Sequence, residues 1–399
     1  MMARSVPALA PVTRTGGYAA RAVRRYLRGA PGEDLPLARP TLSLIGQAFR
    51  DEVVLTLLRS TRPVSEPAVF ARITDEVQAA VELYEARGWP ADPESFHLAP
   101  PPLERVRTRA ARSAWASYEL ATWPSGYEPH PDEPGRRRWL GYGANATVSA
   151  WMLRHAEPRP WVVCVHGTAM GQPALDMALF RARWLHESLG LNVAMPVLPL
   201  HGPRGWGLPH GVAFPAEDML DNVHAAAQAV WDIRRLLSWL RAHEGADRIG
   251  ITSISLGGYV TAMVASLEDD LACAILGVPV ADLVDLVERH SGLAPHDRRL
   301  QTLVLARRLG PVVSPLAMTP RVRPEGRFIY AGLADRMVHP RRQVARLWEH
   351  WGRPEIAWYA GGHTGFFRSR PVQEFVRRAL LQSGLALRDE SSEAERATG

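Results

Sequence analysis

Short apolar runs alternate with segments of helical spacing from about residue 160 onward. The runs have the length of strands, and they lie at 161–167, 191–200, 247–255, 273–278, 326–332 and 355–362. Apolar residues recur at helical spacing in the segments between and after them, at about 175–189, 220–242, 256–267, 341–351 and 372–381. This alternation predicts an α/β fold, with a mostly parallel central sheet covered by helices on both faces.

The strands that precede this region follow a different pattern. The runs WASYEL near Trp115 and TVSAWML near Trp151 are both strand-like, and no helix is predicted between them. We therefore expect an antiparallel pair of strands at the start of the sheet.

An extension with helical patterning precedes the sheet. Apolar residues between Thr41 and Trp89 recur at helical spacing and predict two or three helices, broken at Pro63 and Pro67. Five prolines within 90–102 indicate a linker or an arm laid along the domain. The predicted division is a basic arm with this helical extension at 1–102, the α/β domain at 103–387, and a polar, disordered tail at 388–399.

A helical excursion at about 281–320 interrupts the alternation between two of the predicted strands. In an α/β enzyme an insertion at this point lies over the carboxyl ends of the strands, where ligands bind. The pattern therefore predicts a short lid insertion.

The composition is that of a globular protein with an apolar core, because 46% of the residues are hydrophobic and 22% are charged. All 47 basic residues are Arg and are interleaved with the 41 acidic residues, so the net charge of +6 does not predict a nucleic-acid partner. No apolar run reaches the roughly 18 residues that cross a bilayer, so no transmembrane segment is predicted. Cys164 and Cys273 each lie in a strand-like run, which favours buried free thiols and a reducing, cytoplasmic location.

The first 32 residues contain six Arg and no acidic residue, without the sustained apolar core of a signal peptide. Three interpretations stay open at this point: peripheral contact with anionic lipid, a partly disordered terminus, or a helix docked on the surface.

The most informative stretch is 253–258, which reads SISLGG directly after a predicted strand and directly before a predicted helix. A sharp strand-to-helix turn raises one side chain above the sheet and requires very small residues two positions before and after it. Ser255 meets this requirement, with Ser253 on one side and Gly257 on the other. A glycine-rich start of a helix, without a nucleophile, would explain the same sequence.

A serine hydroxyl needs a base that is itself held by a carboxylate before it can act as a nucleophile. Asp335 follows the predicted strand at 326–332, and His363 follows the predicted strand at 355–362. The chain order Ser255, Asp335, His363 is the order expected when successive strands of one parallel sheet deliver the three residues to one edge. Taken singly, Asp335 could be a helix N-cap and His363 a surface histidine.

The same chemistry needs backbone N–H groups for a developing oxyanion. The amide of Leu256 is one candidate because it starts the helix after the nucleophile. The loop after the strand at 161–165 reads HGTAMG, and the amide of Thr168 is the second candidate, with Ala169 as the next choice. His166 is interpreted as a structural histidine that bonds to the loop backbone.

Taken together, HG at 166–167, the serine elbow, GLADRMVHP at 332–340 and GGH at 361–363 resemble the α/β-hydrolase superfamily over about 113–387. The resemblance implies Ser255 as nucleophile, Asp335 as orienting acid, His363 as general base, and Thr168 and Leu256 as oxyanion donors. Serine at the elbow argues against the branches that use aspartate there, the epoxide hydrolases and dehalogenases, and against the dienelactone hydrolases, which use cysteine.

Other residues are candidates for binding roles in the molecule. His201 and Trp206 lie in the loop after the strand at 191–200 and are candidates to line the substrate pocket. The spacing of His201, His210 and His224 matches no compact ligand motif, so no metal site is predicted. No P-loop or G-x-G-x-x-G motif appears, and no cofactor is expected.

The sequence thus predicts a serine hydrolase that cleaves carboxylic esters or related acyl compounds of small-molecule substrates through an acyl-enzyme. The alternatives are an amidase, peptidase, thioesterase or acyltransferase on the same triad, or a hydrolase-like scaffold that binds without turnover.

Overall fold

A single sheet of nine strands forms the centre of the computed structural model, which describes residues 9–29, 35–60, 66–113, 116–209, 212–294 and 297–386. The strands are β1 Arg107–Arg112, β2 Ser117–Pro124, β3 Thr147–Leu153, β4 Trp161–Val165, β5 Asn192–Pro196, β6 Ile249–Ile254, β7 Cys273–Gly277, β8 Arg327–Gly332 and β9 Glu355–Tyr359. Their order across the sheet is β1-β2-β3-β5-β4-β6-β7-β8-β9. The pairs from β5 to β9 are all parallel, and β1, β2, β3 and β5 are joined by antiparallel pairing. The predicted mostly parallel sheet is confirmed.

The antiparallel part of the sheet has three strands where the sequence predicted two. The additional strand, β1, reads RTRAAR and is almost wholly exposed at the edge of the sheet. An edge strand that buries neither face needs no apolar alternation, so its sequence carries no strand signal.

Helices cover both faces of the sheet, as predicted. They are α1 Ala10–Arg28, α2 Leu42–Ser60, α3 Pro67–Ala86, α4 Arg136–Leu140, α5 Pro173–Leu179, α6 Met219–His243, α7 Leu256–Leu267, α8 Leu283–Ser291, α9 Arg298–Ala306, α10 Val344–His350 and α11 Arg370–Gln382. One apolar core includes buried residues of α3, α6, α7 and α10, and the other includes those of α5 and α11. The central strands β4, β6 and β7 are buried along their whole length, since both of their faces pack against helices.

The helix predicted at 175–189 is shorter than expected, and this part of the prediction was wrong. The α-helix α5 ends at Leu179, and a separate π-helical turn follows at Trp184–Ser188. Arg181, between them, has a positive φ of 52°, a conformation that no α-helix contains. Its guanidinium donates to the carbonyl oxygen of Phe367 at 2.7 Å, which holds the break in place.

The N-terminal extension packs against the α/β domain. The side chains of α3 that face the core, Ile73, Val77, Val81 and Tyr84, are buried in the same apolar cluster as α6 and α7. The proline-rich segment after α3 is laid along the domain, because Phe96 and Leu103 are buried in this cluster as well. The division at residue 102 stays a prediction.

The excursion at 281–320 contains α8 and α9, and α9 packs on α3 of the extension. The hydroxyl groups of Thr74 in α3 and Thr302 in α9 lie 2.9 Å apart. The extension and the excursion therefore pack against each other; the role of the excursion as a lid stays a prediction.

The remaining expectations concern particular residues and segments. Cys164 and Cys273 are free and buried, as predicted, and burial raises the pKa of both thiols. Among the described residues no helix is both long enough and apolar enough to cross a membrane. The polar tail at 388–399 lies outside the described residues.

Candidate active site

Ser255 lies at the sharp turn between β6, which ends at Ile254, and α7, which begins at Leu256. Its backbone has φ 57° and ψ −114°, which is a strained conformation for a residue with a side chain. The turn brings α7 against β4 so closely that a Cβ at Gly257 would overlap the carbonyl oxygen of Val165. Glycine at this position is therefore required by the close approach of the two elements, as the sequence pattern predicted.

Ser253, the small residue two positions before Ser255, lies inside the sheet. Ser253 is fully buried in β6, and its hydroxyl lies 3.4 Å from the carbonyl oxygen of Ile275 in β7, to which it donates. The side chain of Ser255 is half-buried, so it retains access to solvent.

Asp335 and His363 lie on the loops after β8 and β9 and are joined by a hydrogen bond. His363 Nδ1 donates to Asp335 Oδ2 at 2.6 Å, and both side chains are almost fully buried. The other oxygen of Asp335 accepts from the backbone N–H groups of Met337 and Val338, at 2.8 and 2.7 Å. These bonds fix the carboxylate and leave Nε2 of the imidazole as the nitrogen that can accept a proton.

The pKa of His363 is raised. Burial of the imidazole lowers this pKa, but the negative charge of Asp335 and its hydrogen bond to the ring outweigh burial. Among the described residues no hydrogen bond joins Ser255 Oγ to His363, so the acid–histidine pair is formed without the serine. The sheet order puts the ends of β6, β8 and β9 at one edge, with β7 between β6 and β8.

The loop after β4 lies against the serine elbow. A Cβ at Gly167 would be 3.2 Å from Ser255 Cβ. Within the described part of the chain no acceptor takes the backbone N–H of Thr168 or of Leu256. The neighbouring Ala169 has a positive φ of 63° in the turn that carries Thr168.

His166 holds this loop in place. It is buried, its Nδ1 donates to the carbonyl oxygen of Gly167 at 2.8 Å, and its Nε2 accepts from the N–H of Leu198 at 3.0 Å. Burial lowers the pKa of His166 to about 4, so the ring is neutral near pH 7. The interpretation of His166 as a structural histidine is confirmed.

Comparison with known sequences identifies two close relatives of the chain. No family model matches it. It is 58% identical over 378 residues to uncharacterized protein Rv2627c of Mycobacterium tuberculosis strain H37Rv and, equally, to uncharacterized protein MT2702 of strain CDC 1551, covering 95% of this chain and 91% of each relative. At this identity the chain belongs to the same family as these two mycobacterial proteins.

The solved structures that it resembles include two acetyl xylan esterases. One, from a Thermoanaerobacterium species, has a TM-score of 0.53 at 14% identity and covers 75% of this chain and 93% of that chain. The other, from a Paenibacillus species, has a TM-score of 0.51 at 15% identity and covers 84% and 99%. The chain therefore has the α/β-hydrolase fold of these two esterases. At these identities the likeness concerns the fold.

The two residues predicted to line the substrate pocket lie in different surroundings. His201 is buried, with its ring 5.1 Å from that of His166 and its Nδ1 2.9 Å from the carbonyl oxygen of Pro199. Trp206 is 69% exposed, so it covers little of any enclosed pocket. Both assignments stay predictions.

The histidines whose spacing matches no ligand motif do not form a metal site among the described residues. His224 is buried in the second turn of α6, where its Nδ1 lies 3.4 Å from Glu133 Oε2. His210 lies outside the described residues. Among the residues that the structure describes, no group of three or more His, Cys, Asp and Glu side chains could hold a metal ion.

The structure adds two residues that sequence reasoning missed, both in α2 of the N-terminal extension. Asp51 Oδ2 accepts the backbone N–H of His363 at 2.7 Å, and Gln47 Oε1 accepts that of Gly362 at 3.2 Å. The helical spacing in α2 indicates which face of the helix is apolar, but it does not indicate which distant loop the helix packs against. The paired glycines before His363 were the one available signal, because glycine permits close approach of another element.

Proposed function

We propose that this protein is a serine hydrolase that cleaves carboxylic esters or related acyl compounds, with Ser255, His363 and Asp335 as its triad. The observation that carries the proposal is the 2.6 Å hydrogen bond between His363 and Asp335, on the sheet edge that also holds the strained elbow of Ser255. A nucleophile, a base and an orienting carboxylate at one edge are what acyl transfer requires.

The proposed reaction starts with attack of Ser255 Oγ on the substrate carbonyl carbon while His363 Nε2 takes the hydroxyl proton. Asp335 stabilises the imidazolium that forms, and the amides of Thr168 and Leu256 donate to the oxyanion. Collapse of this intermediate breaks the bond to the leaving group, which receives the proton from His363. Water activated by His363 then hydrolyses the acyl-enzyme and regenerates Ser255. No step needs a cofactor.

A panel of substrates with one acyl group and different leaving groups tests the proposal. We expect p-nitrophenyl esters to be hydrolysed with saturable kinetics, and the matched thioester and p-nitroanilide to be hydrolysed more slowly. Comparable or faster hydrolysis of the anilide would favour the amidase alternative. Binding of the esters without release of p-nitrophenol would favour the non-catalytic scaffold.

We also propose that α1 contacts anionic lipid. Its exposed apolar side chains Val12, Val23, Tyr26 and Leu27 fall within one sector of about 100° on a helix that turns 100° per residue. The last turns also carry Arg21, Arg24 and Arg28, all exposed. An apolar strip beside basic residues suits the interface of a bilayer with negative headgroups.

Co-sedimentation with vesicles tests the lipid contact. We expect the wild type to bind vesicles that contain phosphatidylglycerol severalfold more than vesicles of phosphatidylcholine alone. The double change Val23→Ser with Leu27→Ser should abolish the difference, whereas Val304→Ser, at another exposed apolar position, in α9, should not. Equal binding by all three proteins would show that α1 takes no part.

A further inference from the structure

We propose that Asp51, in α2 of the N-terminal extension, is a positioning residue for the general base. It holds the loop that carries His363 and, together with Asp335, stabilises the positive charge of the protonated His363 ring. This inference rests on the proposed function, and it assigns to the extension a direct part in the active site.

The contacts of Asp51 join the two loops that carry the acid and the histidine. Its Oδ2 accepts the backbone N–H of His363 at 2.7 Å and the backbone N–H of Arg336 at 3.1 Å. Arg336 directly follows Asp335, so a single carboxylate oxygen ties the loop after β8 to the loop after β9. Asp51 is 0% exposed, and these bonds are therefore shielded from water.

The glycines around His363 match this approach of α2. A Cβ at Gly362 would lie 2.7 Å from Asp51 Oδ2, and a Cβ at Gly361 or Gly365 would lie 2.7 or 2.5 Å from Gln47 Oε1. None of these three glycines has a positive φ. Their conformations are open to other residues, so the limit on side-chain size comes from neighbouring atoms: Asp51 at Gly362, and Gln47 together with the ring of Tyr359 at Gly361 and Gly365. The GGHTG segment is shaped to receive α2.

Further contacts fasten α2 to the same loops. Glu52 accepts from the guanidinium of Arg336 at 2.9 Å, and this guanidinium also lies 5.2 Å from the ring of Tyr18 in α1. At the end of α2, Arg59 donates to His290 Nδ1 at 3.1 Å, and His290 Nε2 donates to the carbonyl oxygen of Met337 at 2.7 Å. Asp51 is thus carried by a helix that is held near its middle and at its end, which keeps the carboxylate in one place.

Asp51 also affects the protonation of the His363 imidazole. Burial and the nearby negative charge of Asp335 raise the pKa of Asp51 to about 7, while His363 and the two backbone N–H groups act in the opposite direction. The charged and titratable side chains around it are Tyr18 of α1, Glu52 of α2, Asp335 and Arg336 of the β8 loop, Tyr359 of β9, and His363. The charge of Asp51 in turn raises the pKa of His363.

Above pH 7, where most of Asp51 is ionised, two carboxylates therefore act on one imidazole during the reaction. When His363 takes the proton of Ser255, the imidazolium gains stabilisation from Asp51 as well as from Asp335. Removing the charge of Asp51 should lower the pKa of His363. Because the neutral ring is the active form, the acid limb of the rate profile should then move to lower pH.

Two substitutions separate the charge of Asp51 from its hydrogen bonds. Asp51→Asn keeps an oxygen acceptor and removes the charge, whereas Asp51→Ala removes both. Val53→Ala, at an exposed position of the same helix, is the matched control. The measurement is kcat and KM against pH with the best ester of the panel, with a thermal melt of each protein to show that it is folded.

We expect the acid limb of kcat/KM for Asp51→Asn to move down by about 0.5–1 pH unit, with a plateau within severalfold of the wild type. Asp51→Ala should lower kcat by about tenfold or more with little change in KM, because the loop of His363 loses its acceptor. Val53→Ala should match the wild type in the position of the acid limb, in kcat and in KM.

An unshifted acid limb in folded Asp51→Asn would overturn the proposal, even if Asp51→Ala slows turnover, because the contact would then be structural only. If Asp51→Ala does not fold, Asp51→Asn alone decides. A wild type without any ester turnover would instead remove the proposed function, so the two failures are distinguishable.

Discussion

Ser255→Ala is expected to lower ester turnover by about 10⁴-fold or more while the protein stays folded. The change removes one oxygen from a half-buried side chain and leaves the turn between β6 and α7 intact. Without the hydroxyl, His363 has no nucleophile to deprotonate, and only slow attack by water remains. Initial rates with a p-nitrophenyl ester, measured beside a thermal melt, check the result.

Ser253→Ala provides the matched control for this change. It removes a hydroxyl from the same strand two residues earlier, where the group is buried and only weakly bonded at 3.4 Å. We expect turnover within severalfold of the wild type. A comparable loss in both variants would mean that the strand end is perturbed as a whole, and the assignment of Ser255 as nucleophile would lose its support.

Deleting residues 1–102 is expected to prevent cooperative folding of the remaining chain. The deletion removes Ile73, Val77, Val81 and Tyr84 of α3 from the main apolar core, together with Phe96. Fully burying one such side chain contributes about 1.5–3 kcal/mol, and a whole domain is stable by only about 5–15 kcal/mol. The loss of five therefore reaches the size of the total stability, and it also exposes the faces of α6 and α9 that α3 covers.

A shorter deletion controls for the loss of chain at this end. Removing residues 1–34 takes away α1, whose buried residues are only Ala10, Pro11 and Thr15, and should leave a cooperatively folding protein. Near-UV circular dichroism and thermal melts of both proteins provide the comparison. If the chain that begins at Leu103 melts cooperatively and hydrolyses esters with an unchanged substrate profile, the extension is an independent unit and Asp51 has no part in the site.

Much of the fold could be predicted because its buried elements have clear apolar patterns. The central strands are buried on both faces and form short apolar runs, and the helices that cover them show apolar residues at helical spacing. β4, β6 and β7 are wholly buried; β4 and β7 consist almost entirely of apolar residues, and β6 contains three isoleucines among its six residues. β1 carries no such pattern because solvent covers it. The end of α5 depends on Arg181 bonding to a residue that lies 186 positions away, which no local pattern reveals.

The candidate site likewise contains residues that the sequence predicts and residues that it does not. Asp335 and His363 were found because a parallel sheet brings the ends of its strands to one edge, and the residue order along the chain then predicts which side chains meet. Asp51 and Gln47 belong to a helix that precedes the sheet by more than 45 residues in the sequence. Their contact with His363 depends on how α2 docks, and only the glycines of the GGHTG segment hint at it.

The most direct test of the central claim is the intact mass of the protein after treatment with a fluorophosphonate probe, for the wild type beside Ser255→Ala. Such probes react with serine hydroxyls that a neighbouring base activates. We predict one adduct on the wild type, located by peptide mapping on the segment that contains Ser255, and none on the variant. A folded wild type that gains no adduct, or a variant that gains the same adduct, would contradict the assignment of Ser255 as an activated nucleophile.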